Sequence, residues 1–174
     1  MSEPHFHYGL TPEELAKLGE LALTWSHTEH LIGTCTKSVL GLTEEQADIL
    51  IYPLSADRRM QLLKQHSGRV SPELQALIKE LQTVMKAISI ARNTAVHAII
   101  IDNWEVPKFR LHSKDRVLTK EDILQSDALS NYATLLALHI RFKLDPAKLD
   151  GGTLKLPPLP TRPEIPKTLQ QKKT

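Results

Sequence analysis

The chain has few of the features that would mark a secreted or membrane protein. It contains one cysteine, Cys35, among 174 residues, so no disulfide can form within it. The first ten residues carry no apolar stretch typical of a signal peptide. No apolar run reaches the roughly 18 residues that a membrane span requires. These absences predict a cytoplasmic protein that makes no contact with a membrane.

Glycine and aromatic residues are also scarce, with seven glycines and an aromatic content of 5%. A turn-rich β fold is therefore disfavoured, and the core is expected to consist mainly of aliphatic side chains. The length is typical of one domain with a substantial hydrophobic core.

Five segments with helical apolar periodicity each follow a serine or threonine that is typical of a helix N-cap. The predicted helices cover roughly residues 11–39, 43–52, 55–65, 71–98 and 119–144. Between the last two, near 99–118, three isoleucines and an Asp102-Asn103 turn predict a small β-hairpin or an ordered loop. The sequence therefore predicts an all-α fold, a helical bundle of four to five helices with one short excursion.

The two ends of the chain differ in charge and in proline content. Residues 1–145 form the predicted bundle and carry a net charge of −2, whereas residues 146–174 carry +4 and six prolines. The second segment is predicted to be an extended or disordered tail, and it is also a candidate segment for binding a protein partner. A slightly acidic body does not indicate a general nucleic-acid binder, so any phosphate site has to be local.

Two opposite charges fall within the apolar stripes of the two longest predicted helices. Glu29 lies in the stripe of the first and Arg92 in that of the fourth, at about 100° per residue. A buried charge is normally paired, so we predict a Glu29–Arg92 ion pair between these helices. The pair would either fix the helix register or orient the guanidinium toward a ligand phosphate.

Close to Arg92, Asn93 and His97 complete a group of residues that could act on a phosphate. His97 falls roughly 140° from the apolar stripe and near the helix C-terminus, where the helix dipole favours the imidazolium form. It is therefore a candidate proton donor or acceptor, with a plain surface histidine as the alternative.

Other reactive residues have more ordinary interpretations. His27 and His30 flank Glu29 but do not make a zinc-binding pattern, and we predict no metal and no cofactor. Cys35 is predicted to be a small core residue and His139 a core histidine, while the Arg58-Arg59 pair is predicted to lie on a solvated face.

The segment Arg92-Asn93-Thr94-Ala95-Val96-His97 resembles the R-x4-6-H motif of the HEPN superfamily, in the form with four intervening residues. Trp25, Glu29 and Leu31 in the first helix resemble a pattern of several HEPN groups. The resemblance implies a helical bundle that dimerises through the motif-bearing helices. It covers residues 11–144 by architecture, but only about a dozen residues by motif.

Many HEPN proteins are metal-independent ribonucleases of toxin or defence systems. The resemblance therefore implies a homodimeric endoribonuclease in which His97 transfers protons, Arg92 holds the phosphate and Asn93 positions it. One toxin branch has a tyrosine that is modified two positions after the histidine. Ile99 stands there in this chain, so that regulation is not implied. The alternative is a non-catalytic HEPN-type module that binds a nucleotide or a protein and dimerises.

Overall fold

The computed structural model describes residues 11–97, 99–101, 108–110, 117–146 and 156–170. This part of the chain contains five α-helices: α1 Pro12–Leu40, α2 Glu44–Leu50, α3 Ala56–Gln65, α4 Pro72–His97 and α5 Lys120–Leu144. Three short strands lie between α4 and α5: β1 Ile99–Ile101, β2 Lys108–Arg110 and β3 Val117–Thr119. The predicted all-α bundle with a short excursion is confirmed.

Side-chain caps set the starts of several helices. At α2 the Thr43 hydroxyl accepts from the Gln46 backbone N–H, and the Gln46 side chain accepts in return from the Thr43 N–H. Thr119 and Asp122 form the same reciprocal pair of hydrogen bonds, a capping box, at the start of α5. Such boxes satisfy backbone donors that have no partner within the helix. After α1, Gly41 adopts a φ of 69°, a left-handed conformation that glycine adopts without strain.

The central element of the bundle is α5. It packs along both α1 and α4, whereas α1 and α4 barely touch each other, and α3 covers another side of α1. An exposed ion pair between Lys143 and Glu73, 2.9 Å apart, joins the end of α5 to the start of α4, so the two helices run antiparallel. The largest fully buried side chains in the core of the helices are aliphatic, among them Leu31, Ile32, Leu81, Ile88, Leu129, Leu136 and Ile140. Burial of each such side chain stabilises the fold by roughly 1.5–3 kcal/mol.

The excursion forms a three-stranded antiparallel sheet in the order β1-β2-β3. Phe109 in the middle strand pairs with Ile100 on one side and with Leu118 on the other. Of the two predicted forms the structure has the hairpin, and it adds a third strand that the sequence prediction missed. The predicted turn at Asp102-Asn103 lies outside the described residues.

Residues 156–170 run along the bundle as an extended strap that ends in a 3-10 turn at Lys167–Leu169. The side chain of Leu169 is 1% exposed and belongs to the hydrophobic core. The Thr168 hydroxyl donates to Asp122 at 2.7 Å, Arg162 forms an ion pair with Glu80, and the Pro157 carbonyl contacts a ring nitrogen of His139. The predicted extended chain is therefore docked on the bundle along residues 156–170.

Candidate functional site

The candidate site lies in the last turns of α4, where Arg92 and Asn93 are both half-buried. The Arg92 Nη1 donates to Asn93 Oδ1 at 3.0 Å, and Asn93 Nδ2 donates to Ser89 Oγ at 3.4 Å. Beside them, the buried Thr94 hydroxyl donates to the Ile90 carbonyl at 2.7 Å. A chain of side-chain hydrogen bonds along one helix therefore limits the positions that the Arg92 guanidinium can adopt.

His97 is the last residue of α4, five residues beyond Arg92. At a rise of about 1.5 Å per residue, its backbone lies roughly 7.5 Å further along the helix axis. The side chain of His97 is outside the described part of the structure. The arginine and the histidine of the motif are thus carried by one continuous helix.

The predicted ion pair between Glu29 and Arg92 is wrong. Both side chains are half-buried and described, yet no ion pair joins them in this part of the chain. The helices that carry them are separated by α5, so their apolar faces pack on that helix rather than on each other. A helical wheel identifies the face that a helix buries, but it does not identify the neighbour.

The position of the buried face was also predicted inaccurately. In α4 the buried residues shift from Leu74, Ile78 and Leu81 in the first half to Ala91 and Thr94 near the end. At about 100° per residue, this shift turns the buried face by roughly 135° around the helix axis. Arg92 is therefore at the margin of the local buried face.

The buried face of α1 is displaced in a similar way. Its buried side chains include Leu21, Trp25, Thr28 and Ile32, whereas Leu15, an apolar residue in the first turn, is 45% exposed. Glu29 lies roughly 80° from the centre of the buried face. The Glu29 carboxylate therefore does not lie at the centre of the core and needs no buried partner.

The structure holds a second group of polar residues that the sequence analysis did not bring together. Arg59, predicted on a solvated face, is half-buried and donates to three backbone carbonyls. They belong to Glu29, at 3.0 Å, to Ile51, at 3.2 Å, and to Tyr52. Its guanidinium therefore joins α1 to the segment between α2 and α3. Arg58, one residue earlier, is exposed and hydrogen-bonds Gln61 on its own helix, as expected for a solvated face.

Next to Arg59, a cavity of about 190 Å³ opens between α1, α2 and the end of α5, and we call it the Lys37 cavity. Lys37 is only 6% exposed and forms an ion pair with Glu44. The hydrogen bond that Lys37 donates to the Glu44 carboxylate raises the pKa of Lys37, so its ammonium stays charged. The Tyr52 hydroxyl donates to the other Glu44 oxygen at 2.9 Å, and the Tyr52 ring stacks on His30. The cavity is also lined by Thr34, Ser38, Arg141 and Asp145.

No sequence signal groups the residues of the Lys37 cavity, because they come from α1, α2, the following turn and α5. Glu44 was visible only as an acid in the first turn of a capped helix, and Lys37 only as a base near a helix end. An acid in the first turn and a base near the end of a helix are both explained by the helix itself, so neither Glu44 nor Lys37 indicated a shared cavity.

The remaining predicted residues have mainly structural environments. Cys35 is fully buried, as predicted, and burial raises the pKa of its thiol to about 12, an effect that Arg141 partly opposes. The thiol is therefore protonated at neutral pH. His139 is half-buried and hydrogen-bonds the strap, while His27 is exposed. Among the residues that the structure describes, no three His, Cys, Asp or Glu side chains lie close enough to hold a metal ion.

No protein-family model, curated protein or solved structure matches this chain. Within the described ranges, the helices are too short or too polar to cross a membrane.

Proposed function

We propose that this chain is a HEPN-like, metal-independent endoribonuclease that acts as a homodimer. The observation that carries the proposal is the Arg92–Asn93 hydrogen bond, on a helix whose final residue is His97. A fixed guanidinium and an imidazole on one short helical segment are the two groups that cleavage of a phosphodiester by its own 2′-hydroxyl requires.

Arg92 is proposed to bind the scissile phosphate. A guanidinium presents five N–H donors, and the bond to Asn93 Oδ1 uses only one of them. The planar group suits two phosphate oxygens at once, and its attraction grows as negative charge develops on the phosphorane. Asn93 is proposed as a positioning residue, because it is itself hydrogen-bonded to Ser89.

His97 is proposed to transfer the protons. The ribose 2′-oxygen attacks the neighbouring phosphorus while a neutral imidazole takes its proton. The bond from phosphorus to the 5′-oxygen breaks, and a protonated imidazole gives that oxygen a proton. The products are a 2′,3′-cyclic phosphate and a 5′-hydroxyl, so atoms and charge balance. In a dimer, the two copies of His97 would supply the base and the acid, each worth about 10²–10⁴-fold in rate.

The test is cleavage of a labelled, mixed-sequence RNA in EDTA by the wild type and by His97→Ala. We expect the wild type to produce cyclic-phosphate ends and His97→Ala to lose about 10²–10⁴-fold in rate. His27→Ala is the matched control, because His27 is an exposed histidine on another helix. Circular dichroism and the melting temperature establish that all three proteins are equally folded.

Absence of cleavage by the wild type, or equal cleavage by His97→Ala, would overturn the enzymatic proposal. The oligomeric state is measured separately by sedimentation. A monomer that cleaves RNA would support the ribonuclease chemistry but contradict the proposed homodimer.

A second candidate function is a non-catalytic module that binds a nucleotide or a protein and dimerises. It is favoured by the hydrogen bonds of Arg92, Asn93 and Ser89 to one another within a single helix, an arrangement that also serves a structural role. The net charge of −2 on residues 1–145 is compatible with a protein partner. This candidate predicts that His97→Ala leaves binding unchanged.

A further inference from the structure

The Lys37 cavity is remote from the Arg92–His97 segment. The ion pair between Lys143 and Glu73 places the end of α5, and with it Arg141, beside the start of α4. Arg92 is 19 residues beyond Glu73 on a continuous helix, which corresponds to roughly 28 Å. The proposed ribonuclease chemistry therefore leaves the cavity without a role.

The walls of the cavity are fixed by contacts between different elements. Arg59 donates hydrogen bonds to three backbone carbonyls and so holds the segment around Tyr52 against α1. The Tyr52 ring lies against Gly33. A Cβ atom added at Gly33 would be only 3.0 Å from the Tyr52 ring, so a larger residue there would require the ring to move by a few tenths of an ångström. The Lys37–Glu44 ion pair closes another side. The cavity is therefore preorganised.

Two cations, Lys37 and Arg141, and two carboxylates, Glu44 and Asp145, line this cavity, and only one of the cations forms an ion pair within the described residues. Lys37 is paired with Glu44, whereas the half-buried Arg141 guanidinium has neither an ion pair nor a side-chain hydrogen bond within the described residues. The two cations are close enough for Arg141 to oppose the protonation of Lys37. A second anion between them would relieve this repulsion, and Lys37 retains N–H donors beyond the one that Glu44 accepts.

The size and the charge of the cavity limit what it can hold. A volume of about 190 Å³ is below the range of about 300–1,000 Å³ that is typical of drug-sized ligands. It suits a group with a few heavy atoms. Glu44, whose side chain is largely exposed beside the opening, and Asp145 both place a carboxylate at the cavity, and these two negative charges disfavour a long polyanion. A compact oxyanion bonded to Arg141, Lys37 and the Ser38 hydroxyl satisfies both limits.

The geometry points to the Lys37 cavity as a binding site for one phosphate-type oxyanion, held by Arg141 and Lys37. The same chemistry is presented by free inorganic phosphate and by the terminal phosphate of a nucleotide. Binding at this site is independent of the proposed RNA cleavage, because it uses none of the residues of the α4 segment.

The test is the melting temperature of the full chain at constant ionic strength, with chloride replaced stepwise by inorganic phosphate. Phosphate stabilises many proteins by exclusion from their surface, so the informative quantity is the difference between variants. Arg141→Gln removes the proposed ligand, and Arg58→Gln is the matched control on an exposed face. At about 100 times Kd, we expect the wild type and Arg58→Gln to gain about 5 °C more than Arg141→Gln.

A second arm compares a 5′-phosphorylated dinucleotide with its 5′-hydroxyl form. An increase in melting temperature with inorganic phosphate that Arg141→Gln abolishes identifies the free anion as a ligand. An increase that requires the 5′-phosphate of the dinucleotide and is lost in Arg141→Gln identifies the terminal phosphate of a nucleotide as the ligand. Ser38→Ala provides a milder variant that should weaken either shift. Equal shifts in the wild type, Arg141→Gln and Arg58→Gln would overturn the site.

Discussion

The two ends of the bundle hold their polar residues in different ways. Around the Lys37 cavity the hydrogen bonds cross between elements, and those of the Arg59 side chain join α1 to the segment between α2 and α3. At the end of α4, the bonds from Arg92 to Asn93 and from Asn93 to Ser89 stay within one helix.

Contacts between elements exist only when the tertiary structure is formed, so their loss is measured in the free energy of unfolding. Contacts within one helix depend mainly on that helix, and half-exposed pairs of this kind contribute only a few tenths of a kcal/mol. The cavity end should therefore contribute more to stability, while the α4 end can change its contacts at a small cost in free energy.

The largest expected effect on stability follows from Arg59→Ala. This substitution removes the Arg59 donors from three backbone carbonyls in hydrogen bonds that are partly shielded from water. Hydrogen bonds to charged groups contribute about 1.5–3 kcal/mol each, but water will reach part of the site. We expect a loss of about 3 kcal/mol in the free energy of unfolding, measured by urea denaturation.

Two other substitutions sharpen this comparison between the ends. Arg58→Ala, on the exposed face of α3, and Arg92→Ala, at the end of α4, should each cost less than about 1 kcal/mol. A cost for Arg92→Ala as large as that for Arg59→Ala would contradict the difference between the two ends.

An intermediate effect is expected from alanine at two glycines of α1. Gly19 has no heavy atom within 4 Å of a built Cβ, so Gly19→Ala should stabilise the helix by about 0.5–1 kcal/mol. The same gain applies at Gly33, but there the added carbon meets Tyr52, whose ring is held by Glu44 and His30.

We therefore expect Gly33→Ala to be less stable than Gly19→Ala by about 1 kcal/mol or more, since overpacking typically costs 1–3 kcal/mol. Urea denaturation of both variants measures the difference. Equal stabilities would mean that the Tyr52 ring moves aside freely and that the cavity wall is not fixed.

The smallest effect is a dependence on pH at the α4 end, where the strap is fastened to the start of α5. Burial acts to raise the pKa of Asp122, but hydrogen bonds from Thr168 and Thr119 outweigh it, and the pKa is lowered. A lowered pKa in the folded state stabilises the protein above the unfolded pKa. That contribution is lost as the pH falls below about 4.

Thr168→Val removes one of these donors and leaves the capping box of Thr119 in place. We expect the variant to lose less stability than the wild type between neutral pH and about pH 3, as measured by urea denaturation across that range. Identical pH profiles would indicate that the strap does not hold the Asp122 carboxylate in solution.

The helices could be predicted closely from the sequence because their signals are local. The caps at Thr43, Ser55 and Thr119 and the proline at Pro72 place the starts of four helices to within about a residue. The third strand was missed because Thr119 was considered only as a cap, although it also ends β3. Local signals of this kind contain no information about which helices become neighbours.

The candidate site could be predicted only in part. Motif spacing placed Arg92, Asn93 and His97 late in one helix, and the structure has them there. The partner of Arg92 depended on tertiary packing, and the insertion of α5 between α1 and α4 removed Glu29 as a candidate. Arg59 was misplaced for a related reason, since its carbonyl partners come from distant elements.

The docking of Leu169 in the core has a consequence for synthesis on the ribosome. This side chain is translated after all five described helices, yet it is as buried as the residues within them. The groove that receives it is exposed and apolar in every nascent chain that has not yet reached residue 169. A chaperone that binds apolar surface should therefore recognise the nascent bundle until the strap emerges, and release it afterwards.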